Sequence, residues 1–217
     1  MTREELLAFI GINVLMAYHR LPAWKHYWNT SKDLHVLIIS KCMPRNRFEE
    51  ILKYLHCNDN SIIPQDNKDK IYKIRPLANT LNRRFKVCYE TTRRISIDES
   101  MILFKGRSSL KQYNPMKPIK RGYKLWCVAD QNAYISTFEV YQGKNEELQE
   151  EFKEFGLGER IVLSLSKPEW NKYKIVYADN YFISINLMET LYLKKRLACG
   201  TIKSTRLGFP PMLKTKK

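Results

Sequence analysis

Apolar residues recur with a helical period through the first ninety positions, and beyond Arg94 the period shortens to two. Thr2 and Glu5 stand at capping-box spacing, and Leu6, Ile10, Val14 and Tyr18 then follow every four residues, which predicts a first helix. Leu7, Phe9, Ile12 and Leu15 make that helix apolar around most of its circumference, so the pattern predicts a buried element. A second helix is predicted over 45–57, with Phe48, Ile51, Leu52 and Leu55 on one side. Asn58, Asp59, Asn60, Ser61 and Pro64 make a turn-rich connection, and Pro76 pre-sets the first turn of a third helix over 77–89. Then Ile95, Ile97 and Glu99 alternate with Ser96, Asp98 and Ser100, the signature of a strand with two unlike faces. Strands over 124–130 and 135–141, joined by a turn at Gln131, Asn132 and Ala133, predict an antiparallel pair. A helix over 159–166, a strand over 173–178, a helix over 184–196 with Leu187, Leu191 and Met188 inward, and a strand over 197–202 complete the series. The pattern predicts an α/β domain over 94–217 behind an all-helical subdomain over 1–93.

Charge sharpens this picture. Lys and Arg number 38 against 22 Asp and Glu, a net +16, and the basic residues are clustered. Lys105, Arg107, Lys111, Lys117, Lys120, Arg121 and Lys124 crowd the segment between the first two strands, interleaved with Tyr113 and Tyr123. The stretch from Leu191 onward carries Lys194, Lys195, Arg196, Lys203, Arg206, Lys214, Lys216 and Lys217 and no acid, whereas Glu146, Glu147, Glu150, Glu151 and Glu154 form an acidic patch. Basic blocks broken by aromatic rings suit a surface that tracks a phosphate backbone, so DNA or another polyanion is the expected partner. In the loop, Lys105, Arg107, Lys111, Gln112, Lys117, Lys120 and Lys124 are the expected phosphate contacts, and Tyr113 is placed to stack on an unpaired base. No apolar run reaches the roughly 20 residues a bilayer requires, and Met1 to Glu5 does not open a secretory signal. The sequence therefore predicts an intracellular globular domain and no membrane partner.

Cys42, Cys57, Cys88, Cys127 and Cys199 are scattered, and none falls at zinc-ligand spacing with His19, His26, His35 or His56. They are expected to be buried free thiols, and the histidines packing or surface groups. Two acids stand out. Asp98 occupies a mid-strand position that disfavours aspartate, and Asp179 closes the strand that ends at Ala178. Carboxylates at strand ends of an α/β domain can converge on a crevice, and a pair held together calls for a shared proton or a hard cation such as Mg²⁺. On a basic surface that combination suits two-metal phosphoryl transfer. The alternatives are a helix cap for Asp179 and an edge-strand or ion-paired role for Asp98. Asp130, at a strand end, reads as a turn residue or a replacement ligand.

The local sequences carry a more specific signal. The run from Ser96 to Arg107 (SIDESMILFKGR) and the run from Lys111 to Lys124 (KQYNPMKPIKRGYK) resemble the first catalytic signature of the piggyBac transposase family. The segments 156–163 (GLGERIVL), 176–184 (VYADNYFIS) and 199–202 (CGTI) are similar to further family blocks, as are Tyr27-Trp28 and the run 47–56 (RFEEILKYLH) upstream. The resemblance implies an RNase H-like core, a triad of aspartates with Mg²⁺, and cut-and-paste DNA transposition at TTAA sites in the nucleus, with a homodimer as a further possibility. It places Asp98 and Asp179 at the first two triad positions. No Asp or Glu follows Glu189, so the third has no counterpart in this chain. The core is thus expected to stop before its last helix, and the 217-residue chain is not expected to complete strand transfer alone. A non-enzymatic DNA-binding or protein-interaction module derived from such a transposase is the alternative.

Overall fold

The computed structural model describes residues 1–143 and 151–214. The chain divides into two compact units, Met1–Cys57 and Asn58–Lys217. Of the predicted acidic patch, Glu146, Glu147 and Glu150 lie outside the described residues, as do Lys216 and Lys217.

In the first unit, α1 (Arg3–Tyr18) starts at the predicted capping box: Thr2 Oγ1 accepts from Glu5 N, and Glu5 returns a carboxylate oxygen to Thr2 N. α2 (Leu37–Cys42) and α3 (Arg45–Tyr54) follow. The core is aromatic. Phe48 of α3 lies 4.9 Å from Phe9 and 5.1 Å from Trp28, ring centre to ring centre, and Trp28 Nε1 donates to Met43 O at 2.7 Å. Only Phe9 and Ile12 of α1 are buried, whereas Leu7, Ile10, Val14 and Tyr18 are exposed. The expectation of a wholly buried first helix is therefore corrected. The aromatic cluster saturates one side of α1 and leaves the opposite apolar stripe facing outward. Leu52 and Leu55 also stay exposed, since α3 turns only Phe48 and Ile51 inward.

In the second unit, α4 (Arg75–Cys88) leads into a mixed sheet of β1 (Arg94–Leu103), β2 (Gln112–Tyr113), β3 (Arg121–Asp130), β4 (Ile135–Val140), β5 (Ile175–Ala178) and β6 (Leu197–Gly200). α5 (Leu157–Ser166) and α6 (Ile185–Leu193) flank it. β1, β3 and β4 form an antiparallel meander, β2 adds to β3, and β5 and β6 continue the sheet in parallel on the other side of β1. This is the mixed sheet with flanking helices expected from the sequence. Ile95, Ile97, Trp126, Val128 and Val176 point to one face, where Ile161, Val162, Phe182, Leu187 and Leu191 meet them. A fully buried aliphatic or Phe side chain contributes about 1.5–3 kcal/mol, so this layer dominates the unit's stability.

The division after Cys57 falls ahead of position 93, where helices give way to strands. The reason lies in α4. Asn82 brackets Phe138 of β4, donating to its carbonyl at 2.8 Å and accepting from its N–H at 2.9 Å, while Tyr134 donates to Phe85 O at 3.0 Å. α4 is thus built into the sheet domain. Among the described residues, no helix is long and apolar enough to cross a membrane.

Candidate nucleic-acid and metal site

The parallel register places the two singled-out acids. β1 and β5 pair as Arg94 with Ile175, Ile95 with Val176 and Ser96 with Tyr177. Two residues further along come Asp98, still within β1, and Asp179, the first residue beyond β5, so the register carries them to the same level. Strand alternation sets Asp98 on the face of Ser96, opposite the core-facing Ile95 and Ile97. Both acids are exposed. Asp98 accepts from Glu99 N at 2.7 Å, and Asp179 accepts from Tyr181 N at 2.9 Å. Among the described residues no ion pair consumes either carboxylate, and the sheet offers two adjacent, open sets of hard oxygen donors. Mg²⁺ is commonly held by one or two carboxylates with water and substrate phosphate completing its shell, and this donor set fits that pattern. No cluster of three or more His, Cys, Asp or Glu side chains suited to a metal occurs among the described residues.

Glu99, next along β1, points the other way, and it organises the basic loop. Its two carboxylate oxygens lie 3.4 Å from Lys117 Nζ and 3.8 Å from Lys124 Nζ. The Lys124 ammonium also sits 3.9 Å from the centre of the Trp126 ring, with Tyr181 and Tyr141 at 5.6 and 5.8 Å. Burial lowers the proton affinity of Lys124; Lys117 lowers it further, while Glu99, Asp98 and Asp179 raise it. The anionic pair is therefore within electrostatic reach of this ammonium.

The candidate phosphate contacts fall into two groups. Lys105, Arg107 and Lys120 are exposed on the loop, and so is Tyr113, whose ring lies 5.2 Å from the Arg121 guanidinium carbon. Lys111 donates to Gly106 O at 2.7 Å and braces the loop, and Gln112 sits in β2 opposite Gly122. Lys117 and Lys124 are held by Glu99. Sequence reading missed Glu99 as a functional group, although its place on the face of Ile95 and Ile97 was the clue: a carboxylate turned inward must bring cations with it. Arg196, counted with the basic tail, is completely buried and donates to Glu169 O at 2.9 Å, so it adds nothing to the surface charge. Of the five cysteines only Cys127 is buried, and Cys42, Cys57, Cys88 and Cys199 are exposed, which corrects the expectation of buried thiols.

Residues 1–217 match the family model described as Transposase IS4. The chain belongs to this transposase family. It is 35% identical over 216 residues to human PiggyBac transposable element-derived protein 3, covering 98% of this chain and 36% of the relative. To human PiggyBac transposable element-derived protein 2 it is 31% identical over 221 residues, covering 100% of this chain and 36% of the relative. The chain thus spans little more than a third of the length of these curated relatives. Its fold matches that of a piggyBac transposase solved by cryo-EM as a synaptic complex with hairpin DNA, with a TM-score of 0.88 and 27% sequence identity over all of this chain and 45% of that one. These findings place the chain with the piggyBac-type transposases, as its signature runs implied.

Proposed function

We propose that this chain carries part of a DNA-transposition core in which Asp98 and Asp179 supply two of the carboxylates for a divalent cation, with Mg²⁺ as the expected ion. The observation that carries the reading is the β1–β5 register, which sets the carboxylates of Asp98 on β1 and of Asp179 just beyond β5 level with each other, neither of them in an ion pair among the described residues. When bound, such an ion lowers the pKa of an attacking water or hydroxyl and stabilises the departing oxygen of a phosphodiester. The chain's own residues supply the remainder. Lys105, Arg107 and Lys120 neutralise backbone phosphates, Lys111 keeps the loop folded, and Tyr113 offers a ring to an unstacked base. DNA is the proposed partner, TTAA-flanked ends the proposed substrate, the nucleus the proposed location, and a homodimer the proposed assembly. Because the resemblance implies a third aspartate with no counterpart here, the 217 residues alone are proposed to bind DNA and not to complete strand transfer.

The test is a metal-dependent cleavage assay on TTAA-flanked transposon ends, run with the 217-residue chain and with a protein extended to the relatives' length. The extended protein should cleave with Mg²⁺, and Asp98→Asn or Asp179→Asn should each abolish cleavage. Full activity after either substitution would overturn the assignment. The exposed cations of the loop also support a second reading, a DNA-binding module without catalysis, which predicts binding that both substitutions leave intact.

A further inference from the structure

Asp179 does not sit in a strand. It is the first residue beyond β5, so its position depends on whatever holds the turn 179–182. That turn is gripped from two sides. On one, the ring of Tyr181 stacks on Trp126 of β3, with centroids 6.1 Å apart and planes 14° from parallel, and Phe182 meets the same indole edge-on at 5.5 Å. On the other, the Arg206 guanidinium donates to the carbonyls of Asn180 and Tyr181. The Lys124 ammonium lies against the first grip, 3.9 Å from the Trp126 ring centre and 5.6 Å from that of Tyr181, with Glu99 of β1 at 3.8 Å. Lys124 and Trp126 both belong to β3, so this one cation ties that strand to two other elements: β1 through Glu99 and the turn after β5 through Tyr181.

We propose that Lys124 is a positioning residue for Asp179: its ammonium clamps the Tyr181 ring and the Glu99 carboxylate to Trp126, fixing Asp179 beside Asp98. The physical basis is a partly desolvated cation on aromatic faces, an attraction strong enough to order a short turn. This separates Lys124 from the exposed cations of the loop, whose charge faces solvent. The inference rests on the two-carboxylate reading only for its effect on a bound ion; the clamp itself is a property of the chain.

The experiment uses the 217-residue chain and two readouts, after thermal unfolding has shown each variant to be folded. Hydrogen exchange of the amides in 179–182 should be about tenfold faster in Lys124→Met than in the wild type and should return to the wild-type rate in Lys124→Arg, which keeps a cation on the ring. Tyr181→Leu, which removes the ring and leaves the lysine, should speed exchange likewise and serves if Lys124→Met does not fold. Mn²⁺ affinity, measured by titration, should fall about tenfold in Lys124→Met and be retained in Lys124→Arg. The sign is decisive. Removing a positive charge near two carboxylates should by itself tighten cation binding, so tighter or unchanged Mn²⁺ binding in Lys124→Met overturns the proposal. Unchanged exchange in 179–182 overturns it too. A wild type whose Mn²⁺ binding is absent, or is unaffected by Asp98→Asn, refutes the two-carboxylate reading, and hydrogen exchange then decides the clamp alone.

Discussion

Asp130 accepts a 2.7 Å hydrogen bond from the hydroxyl of Tyr89, joining the end of β3 to the segment after α4. The same carboxylate accepts from the N–H groups of Thr92, Asn132 and Tyr134 at 3.1, 2.9 and 3.3 Å. Asp130 is therefore the organiser of the β3–β4 turn, its oxygens are consumed, and it is no replacement metal ligand. Burial opposes its ionisation, but these hydrogen bonds outweigh it and hold the carboxyl below the usual range. Asp130→Ala should cost about 2–3 kcal/mol, because it strips a charged acceptor from several donors at once. A denaturant midpoint unchanged by Asp130→Ala would contradict this role.

The thiol of Cys127 is pushed up to about 11, first by burial and then by the charge of Asp98, its register partner on β1. A thiolate is the reactive form, so Cys127 should resist alkylation at pH 8 while the other four cysteines react. Mass spectrometry after brief iodoacetamide treatment should find four modified thiols in the native chain and a fifth only after denaturation. Rapid native labelling of Cys127 would show that β1 and β3 open readily.

DNA binding should be steeply salt-dependent, with the exposed loop cations carrying the slope. Each phosphate contact removed lowers the slope of log K against log salt by about 0.9 on duplex DNA. Replacing Lys105, Arg107 and Lys120 together with alanine should therefore reduce it by about 2.7 if each meets one phosphate. Lys117→Ala should change it less, because Glu99 already partners that lysine. Fluorescence anisotropy across a salt series checks both outcomes, and equal effects from Lys117 and the exposed residues would count against the grouping.

Glu5 ties the start of α1 to α3. Its carboxylate accepts from Arg47 Nε and Nη2 at 2.9 Å each, and that pairing, with the Thr2 N–H, lowers its pKa from 4.5 to about 2. A depressed folded-state value stabilises above the unfolded pKa, and the contribution disappears as pH falls through the folded one. The melting temperature of the wild type should exceed that of Glu5→Gln at pH 7, and the gap should close between about pH 4.5 and pH 2. A gap that widens on acidification would reverse the argument.

Gly122 and Gly200 lie where the backbone of the paired strand leaves no room for a side chain. A Cβ on Gly122 would stand 1.9 Å from Ile102 O, and one on Gly200 would stand 2.0 Å from Ala178 O, both unyielding backbone atoms. Gly122→Ala and Gly200→Ala should each destabilise by about 1–3 kcal/mol through forced separation of paired strands. Urea unfolding of the two variants measures this directly.

Much of this architecture was legible in the sequence because periodicity and caps are local. The alternation of Ile95, Ile97 and Glu99 with Ser96 and Asp98 gave β1 its two faces, and the Thr2–Glu5 box marked the start of α1 to the residue. What escaped depends on partners distant in the chain. Nothing near Leu7, Ile10 and Val14 says that Phe48 and Trp28 cover only the other side of α1. The short helix α2 and the two-residue strand β2 lack the length for a periodic signal. Position alone singles out Asp98 and Asp179 but leaves their pairing open beside cap and ion-pair roles, and the motif resemblance narrows it, since the parallel register that aligns them is not written in either segment. Lys117 and Lys124 looked like their neighbours Lys105 and Lys120 until the inward turn of Glu99 separated them.

The pairing of Arg94 with Ile175 joins strands between which β2, β3, β4 and α5 intervene along the chain. Such a parallel contact closes a long loop before it gains any stabilisation, so it belongs among the slow steps of folding. The antiparallel meander of β1, β3 and β4 is local by comparison and can form while the chain is still emerging from the ribosome. Asp98 is then in place before its companion exists. The two carboxylates come together only when β5 docks, so a nascent chain or a folding intermediate that stops short of β5 has a sheet but no paired carboxylates.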